Sequence, residues 1–92
     1  MKDIVSVYAT FGGEDEARNI ARTVVDERLA ACANLLGTIG SIYRWEGRIE
    51  ETQETAAIFK TARARSRMLV DRICAVHSYV MPAVVTTKWK VP

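Results

Sequence analysis

Few side chains in this sequence could bind a metal ion. His77 is the only histidine, and the two cysteines, Cys32 and Cys74, lie far apart in the chain. Neutral imidazole suits Cu(II) and thiolates suit Cu(I) and other soft ions, so His77 and Cys32 are the candidate metal ligands. One imidazole alone does not make a tight site, so a symmetry axis or a neighbouring subunit would have to supply further ligands.

The same residues also have purely structural interpretations. His77 could lie at the end of a helix, near its negative dipole, or bond to a backbone group. Ala31 and Ala33 flank Cys32, and an apolar setting keeps a thiol protonated and inert. We expect Cys74 to pack in the core and both thiols to stay reduced, which is typical of the cytosol.

Composition and motifs argue against several classes of function. The formal net charge is +2 and the isoelectric point is near 8.7, far from the strongly basic balance of a dedicated nucleic-acid binder. A basic run at residues 60–67 lacks the interleaved aromatic side chains of an RNA-recognition sequence, so we interpret it as a solvated turn. Phosphate-binding loops, nucleophile elbows and catalytic triads are not found, so we expect no enzyme activity.

Size and hydropathy favour a small protein that forms oligomers. No segment has the basic start and long apolar run of a signal peptide, and the longest uncharged runs contain polar and helix-breaking residues. We therefore expect a cytoplasmic protein with no membrane span and no nucleic-acid partner. The 92 residues form one domain, and a domain this small is marginally stable alone, which favours oligomers.

A strand, a helix and a long hairpin are predicted in the first two thirds of the chain. Residues 2–10 are β-branched and aromatic on both faces, as in a central strand. A helix of about 16 residues follows, and the three acids at its start suit the positive end of its dipole. Its buried stripe has helical spacing and comprises Ala17, Ile20, Ala21, Val24 and Val25. Two extended arms then run to and from a tight reversal at Glu46-Gly47, with Gly37 and Gly40 allowing a bend or bulge.

The remaining residues predict a second helix and a last strand. The helix lies within residues 63–79, with Ser66 as its N-cap. Its buried stripe comprises Leu69, Ile73 and Val76, helped by Met68 and Val70. Residues 83–91 form the final strand. The order β-α-β-β-α-β predicts an α+β, ferredoxin-like fold: a four-stranded antiparallel sheet with two helices on one face and a long β2-β3 hairpin.

The predicted hairpin is too long for the globule that carries it. Arms of about 13–15 residues span roughly 45 Å, whereas a compact chain of this size has a diameter of about 30 Å. The excess would expose strand edges together with Tyr43 and Trp45, which share one face. We therefore expect pairing with other chains. The alternative is that Gly37 and Gly40 fold the hairpin back onto its own core.

Four blocks of this sequence resemble the CutA divalent-cation-tolerance family. They span nearly the whole chain in family order: residues 27–34 (ERLAACAN), 41–50 (SIYRWEGRIE), 59–61 (FKT) and 77–82 (HSYVMP). The resemblance implies a ferredoxin-like fold, an interlocked homotrimer with strand exchange through the hairpin, and a link to tolerance of copper and other divalent cations. It implies no established reaction and no obligatory cofactor; Cu(II) or another divalent cation is the metal expected.

Four residues are candidates for lining a ligand cleft between subunits: Tyr43, Trp45, Lys60 and Tyr79. For Tyr43 and Trp45 the alternative is packing at an interface, where aromatic side chains are enriched. Lys60 matches a Lys-Thr step of the family and could bind an anion, or it could be a solvated lysine at a strand end.

Three positions depart from the family pattern. Ser78 and Val80 stand where the family usually has proline and glutamate. Ala9 stands where some members have a cysteine, so a metal site that uses that cysteine cannot exist in this chain.

A second hypothesis for function is a trimeric small-ligand sensor of the nitrogen-regulatory PII kind, which rests on shared architecture alone. An RNA-binding module is the third.

Overall fold

The computed structural model describes residues 3–79 and 82–88 of the chain. Six elements follow in the predicted order: β1 (Ile4–Phe11), α1 (Glu14–Asp26), β2 (Cys32–Trp45), β3 (Arg48–Ala62), α2 (Arg63–Val76) and β4 (Val84–Lys88). The strands form one antiparallel sheet in the order β2-β3-β1-β4. The predicted ferredoxin-like arrangement is confirmed, with β1 and β3 at the centre of the sheet.

Both helices pack on one face of the sheet, and the core lies between them and the strands. Because side chains alternate along a strand, Val7 and Phe11 of β1 share a face with Phe59 of β3, and all three are fully buried. Buried helix residues pack against them: Ala17, Ile20, Ala21, Val24, Leu69 and Ile73. We call this the helix-covered face of the sheet, and the opposite one the open face.

Four residues that were assigned to the core lie at the surface instead. Cys74 is exposed, and Val25, Met68 and Val76 are exposed as well. Each helix contacts the sheet along a narrow line. A residue next in sequence to one on this line is rotated from it by about 100° around the helix axis. Cys74 directly follows the buried Ile73 and therefore points away from the sheet, so the prediction of a buried Cys74 was wrong.

The element boundaries differ from the predicted ones by a few residues. Helix α1 has 13 residues, and α2 begins at Arg63 and ends at Val76. Ser66 is therefore not an N-cap; it lies in the first turn, where its hydroxyl donates a hydrogen bond to the carbonyl of Arg63 at 2.8 Å. The last strand begins at Val84, and residues 89–91 of its predicted span lie outside the described residues.

The β2-β3 hairpin extends beyond the rest of the domain. Its arms have 14 and 15 residues, and the longest dimension of the molecule is 44 Å, against 30 and 21 Å in the other two directions. Strand β1 ends opposite Thr55, so residues 48–54 of β3 pair with β2 alone. We call residues 39–54 the overhang. It projects outward, so the hairpin does not fold back onto its own core.

A β-bulge changes which side chains of β2 face the helices. The register shifts between Leu35 and Gly37, so Leu36 is the extra residue. Gly37 takes a φ of +90°, a conformation that glycine adopts without steric cost. Leu35 lies on the helix-covered face; without a bulge, Tyr43 would lie there too. The extra residue instead places Tyr43 on the open face. The predicted bulge is confirmed at Gly37.

The overhang exposes large apolar side chains on both faces. Ile42 and Ile49 are 71% and 65% exposed on one face, while Tyr43 and Trp45 are 42% and 52% exposed on the other. The expected exposure of Tyr43 and Trp45 is confirmed. The hairpin reverses at Glu46-Gly47, where both residues have positive φ, as in a type I′ turn.

The end of α1 is a Schellman motif with an arginine in the left-handed position. The amide of Arg28 bonds to the carbonyl of Val25, and the amide of Leu29 bonds to the carbonyl of Val24, which together define the motif. Arg28 has a φ of +63°, whereas this position usually carries glycine. This reversal starts the approach to β2 and stops α1 earlier than the sequence pattern predicted.

We expect Arg28→Gly to stabilise the protein. Glycine takes the left-handed conformation without the steric cost borne by other residues, so the free energy of unfolding should rise by about 0.5–1 kcal/mol, despite the greater freedom of glycine in the unfolded chain. Thermal unfolding followed by circular dichroism measures this. Arg22→Gly, at a helical position of α1, should lower stability by about 1 kcal/mol; a decrease in both variants would contradict the argument.

Candidate functional site

His77 lies directly after α2 and packs against the end of β1. Strand β4 begins opposite Ala9, so among residues 3–79 and 82–88 the β1-β4 pairing does not reach Thr10. His77 fills this position: its Nε2 lies 2.7 Å from the carbonyl oxygen of Thr10. The buried ring stacks on Phe11, with ring centroids 4.8 Å apart and planes 12° apart. The backbone-bonded arrangement considered for His77 from the sequence is the one observed.

The two ring nitrogens of His77 have different roles. A carbonyl oxygen can only accept a hydrogen bond, so Nε2 carries the proton and donates a hydrogen bond to the carbonyl of Thr10. Nδ1 accepts a hydrogen bond from the backbone N–H of Tyr79 at 3.0 Å, so this ring is neutral. Metal-binding histidines commonly donate their other N–H to a backbone carbonyl. Nδ1 is therefore the atom of His77 that could bind a metal ion.

The carboxylate of Glu16 faces this nitrogen. Its Oε2 lies 3.9 Å from Nδ1 of His77 and accepts a hydrogen bond from the backbone N–H of Ser78 at 2.7 Å. Its Oε1 accepts one from the Ser78 hydroxyl at 2.9 Å. Burial alone would raise the pKa of Glu16, but the two hydrogen bonds from Ser78 and the one from the amide of Gly12 together hold it below its ordinary 4.5. The carboxylate is therefore ionised at neutral pH.

Tyr79 extends this cluster toward the overhang. Its hydroxyl donates a hydrogen bond to Glu54 at 3.0 Å, and its ring centroid lies 4.7 Å from that of His77. Burial, the hydrogen bond to Glu54 and the negative charges of Glu54 and Glu16 together raise the pKa of Tyr79 to about 12. Tyr79 therefore stays protonated and can hold Glu54 in place.

The predicted cleft residues fall into two groups. Tyr43 and Tyr79 are close enough to influence each other electrostatically, and Trp45 lies two residues further toward the hairpin tip. Lys60 lies on β3 six residues from Glu54, the partner of Tyr79, which is roughly 20 Å along the strand. Within one chain, Lys60 does not line the same cleft as the tyrosines.

The two candidate metal ligands are also apart within one chain. Cys32 pairs with Lys60 of β3, which pairs in turn with Ser6 of β1. Thr10, the partner of His77, is four residues further along β1, or roughly 13 Å. Among residues 3–79 and 82–88, no three His, Cys, Asp or Glu side chains are grouped so that they could hold a metal ion.

Glu16 and Glu54 were not singled out from the sequence. Glu16 was interpreted together with two neighbouring acids as a charge that favours the helix dipole. Its contact with Ser78 joins residues 62 positions apart, and only the packing of α2 beside β1 brings them together. The one local signal was the position of Glu16 in the first turn of α1, just after a Gly-Gly break that ends β1.

Comparison with known proteins identifies the family. The family model described as CutA1 divalent ion tolerance protein matches residues 5–91. The chain belongs to this family. It is 40% identical over 85 residues to the divalent-cation tolerance protein CutA of Thermus thermophilus, a match that covers 92% of this chain and 81% of the relative. The resemblance carried by the four sequence blocks is confirmed.

Two further CutA relatives agree with this assignment. The human protein named Protein CutA is 40% identical over 82 residues, which covers 89% of this chain but only 46% of the human protein. A crystal structure of the divalent ion tolerance protein CutA1 from Ehrlichia chaffeensis superposes with a TM-score of 0.93 at 33% identity, covering 100% of this chain and 86% of that one. In the part of the CutA chain that is described, no helix has the length and apolarity needed to cross a membrane.

The cluster predicts a loss of stability in acid. Because folding lowers the pKa of Glu16 below 4.5, its contribution is complete above the unfolded-state value and is lost as the pH falls through the folded-state value. The free energy of unfolding, measured by urea titration, should therefore start to fall as the pH approaches 4.5 and continue to fall below it.

The variant Glu16→Gln separates this effect from other carboxylates. It removes the titrating group but keeps its size, so the variant should be less stable near neutral pH and lose less stability on acidification. Glu14→Gln is the control, because Glu14 makes only an exposed ion pair with Arg18. Equal acid sensitivity of the wild type and Glu16→Gln would contradict the prediction.

Proposed function

We propose that this CutA-family protein acts as a non-catalytic homotrimer in the tolerance of divalent cations. The observation that carries the proposal is the overhang, which exposes large apolar side chains on both faces and whose β3 edge has no partner strand among residues 3–79 and 82–88. Exposed strand edges invite pairing with another chain, and large apolar side chains on two faces need two covering surfaces. In a closed ring of three, each overhang would lie between neighbouring molecules.

We further propose that the protein binds copper or another divalent cation weakly at the end of β1. His77 Nδ1 and the Glu16 carboxylate supply two donors of types that Cu(II) accepts. Their separation of 3.9 Å would have to close by about 0.5–1 Å to allow two bonds of about 2.0–2.2 Å to one ion at tetrahedral or square-planar angles. Binding would displace the N–H of Tyr79 from Nδ1, which costs one hydrogen bond and favours a modest affinity.

Further donors for this ion would have to come from a neighbouring subunit. Cys32, the soft ligand proposed from the sequence, lies elsewhere in its own chain and could reach the ion only across an interface. The histidine is buried, whereas the Glu16 side chain is 23% accessible, so an ion would enter from the Glu16 side.

We place the protein in the cytoplasm. Both cysteines are free, and neither has a disulfide partner among residues 3–79 and 82–88. Unpaired thiols are typical of a reducing compartment.

The assembly is tested by molar mass. Light scattering at micromolar concentration should give three times the 10.3 kDa of one chain, because the overhang is incomplete without neighbours. Ile42→Arg should lower the mass toward that of one chain, since it introduces a charge into a surface that another molecule covers.

Met68→Arg is the matched control for this experiment. Met68 is 54% exposed on α2, outside the overhang, so its substitution should leave the molar mass unchanged. A mass near 10.3 kDa for the wild type would exclude the trimer.

The metal site is tested by calorimetric titration with Cu(II). His77→Ala and Glu16→Gln should each weaken binding by about tenfold or more, because each removes a donor from a site with few ligands. Glu14→Gln, which changes an exposed acid in the same helix turn, should leave the affinity unchanged.

Cys32→Ser decides whether the thiol takes part. A loss of copper affinity in this variant would support a ligand supplied across an interface, and an unchanged affinity would limit the site to nitrogen and oxygen donors. Equal affinity of the wild type and His77→Ala would rule out the proposed site.

A further inference from the structure

An open groove runs between α1 and the first residues of β2. Its volume is about 820 Å³. On the strand side it is lined by Cys32 and Leu35, and its helix side includes Ala21 and Val25 beside charged residues, so its lining is mixed apolar and polar. It lies away from His77 and from the overhang, and the proposed metal site does not use it.

The strand side of the groove is an unpaired sheet edge. β2 is the outermost strand of the sheet and pairs only with β3 in the described part of the chain. Alternate backbone N–H and C=O groups of residues 32–35 therefore point outward. Such an edge can accept an extended peptide as an additional strand, with main-chain hydrogen bonds providing affinity and side chains providing selectivity.

Three charged residues stand along the helix side of the groove. Arg18, Arg22 and Asp26 line it and are spaced four residues apart, so they form a row of two positive charges and one negative charge. Arg18 has an exposed ion pair with Glu14, which is a weak competitor. Arg22 has no ion-pair partner among residues 3–79 and 82–88.

The spacing of this row fits a strand. Four residues of helix rise about 6.0 Å, and two residues of strand span about 6.6–6.8 Å. Alternate side chains of an extended peptide can therefore meet successive charges of α1. We propose that the groove binds an extended peptide segment of another protein with the pattern acid-x-acid-x-base, added as a strand to the free edge of β2.

The direction of the peptide follows from the topology. Strands β1 and β2 run parallel to each other, because both are antiparallel to β3. Helix α1 follows β1 after a short turn and returns along the sheet, so it runs antiparallel to β2. The arginine end of the row therefore lies beside Leu35 and the Asp26 end beside Ala31. A peptide that starts with its acids at the arginine end runs antiparallel to β2, which is the more stable pairing.

The probe is the acetylated and amidated peptide Thr-Glu-Thr-Glu-Thr-Lys-Thr, and its binding is followed at two thiols. Cys32 lies on the edge of β2 that the peptide would cover, so bound peptide should slow its alkylation. Cys74 is exposed on α2, outside the groove, so its alkylation rate should not change. The reversed peptide Thr-Lys-Thr-Glu-Thr-Glu-Thr has the same composition and should protect Cys32 less.

Charge exchange tests the proposed contacts. Arg22→Glu should weaken binding by about fivefold, and a peptide with lysine in place of the second glutamate should restore it. Arg67→Glu makes the same change in charge on the exposed face of α2 and should leave binding within about twofold. Neither arginine is buried, so both variants should fold, as circular dichroism can verify.

Four outcomes would overturn the proposal. They are equal alkylation of Cys32 with and without peptide, equal binding by the wild type and Arg22→Glu, and equal protection by succinate, which would indicate a small-anion site. The fourth is protection of Cys32 that rises with protein concentration in the absence of peptide, which would show that a second copy of this chain occupies the groove.

Discussion

Strand β3 has to satisfy two structures at once, and the rest of the molecule depends on how it does so. Residues 55–62 lie in the middle of a four-stranded sheet and supply part of the core, whereas residues 48–54 pair on only one side within the part of the chain that the structure describes. Strand β2 pairs along one edge of the 15-residue β3, and β1, with eight residues, covers only part of the other edge. The unpaired part exposes backbone groups and apolar side chains that a single chain does not cover.

The main features of the fold could be predicted because they follow from local patterns. Helical spacing in α1, strand composition in β1 and two turn residues at the hairpin tip each indicate one structure. The errors occurred where geometry beyond the local pattern decides. Cys74 was placed in the core because it is next to a buried residue, although a rotation of about 100° per residue turns it outward. The left-handed conformation that ends α1 occurs at Arg28, and without a glycine at this position nothing in the sequence indicated it.

The candidate site was harder to predict than the fold, since its contacts join distant parts of the chain. The sequence indicated His77 as the residue with metal-binding chemistry, but not the two acids that surround it. Glu16 of α1 contacts Ser78, which follows α2, and Glu54 of the hairpin contacts Tyr79. Each acid also has an adequate local explanation, in a helix turn or on a solvated strand. A sequence pattern therefore gives no reason to look further.

The bulge at Leu36 has a consequence for how this strand can vary. It reverses the alternation of side chains along β2, so the even-numbered residues before it and the odd-numbered residues after it point to the same side. Deleting a single residue there would turn the whole distal half of the strand over and exchange its two surfaces. Insertions and deletions should therefore be tolerated much less at this point than at the hairpin tip, where a change in length leaves both surfaces in place.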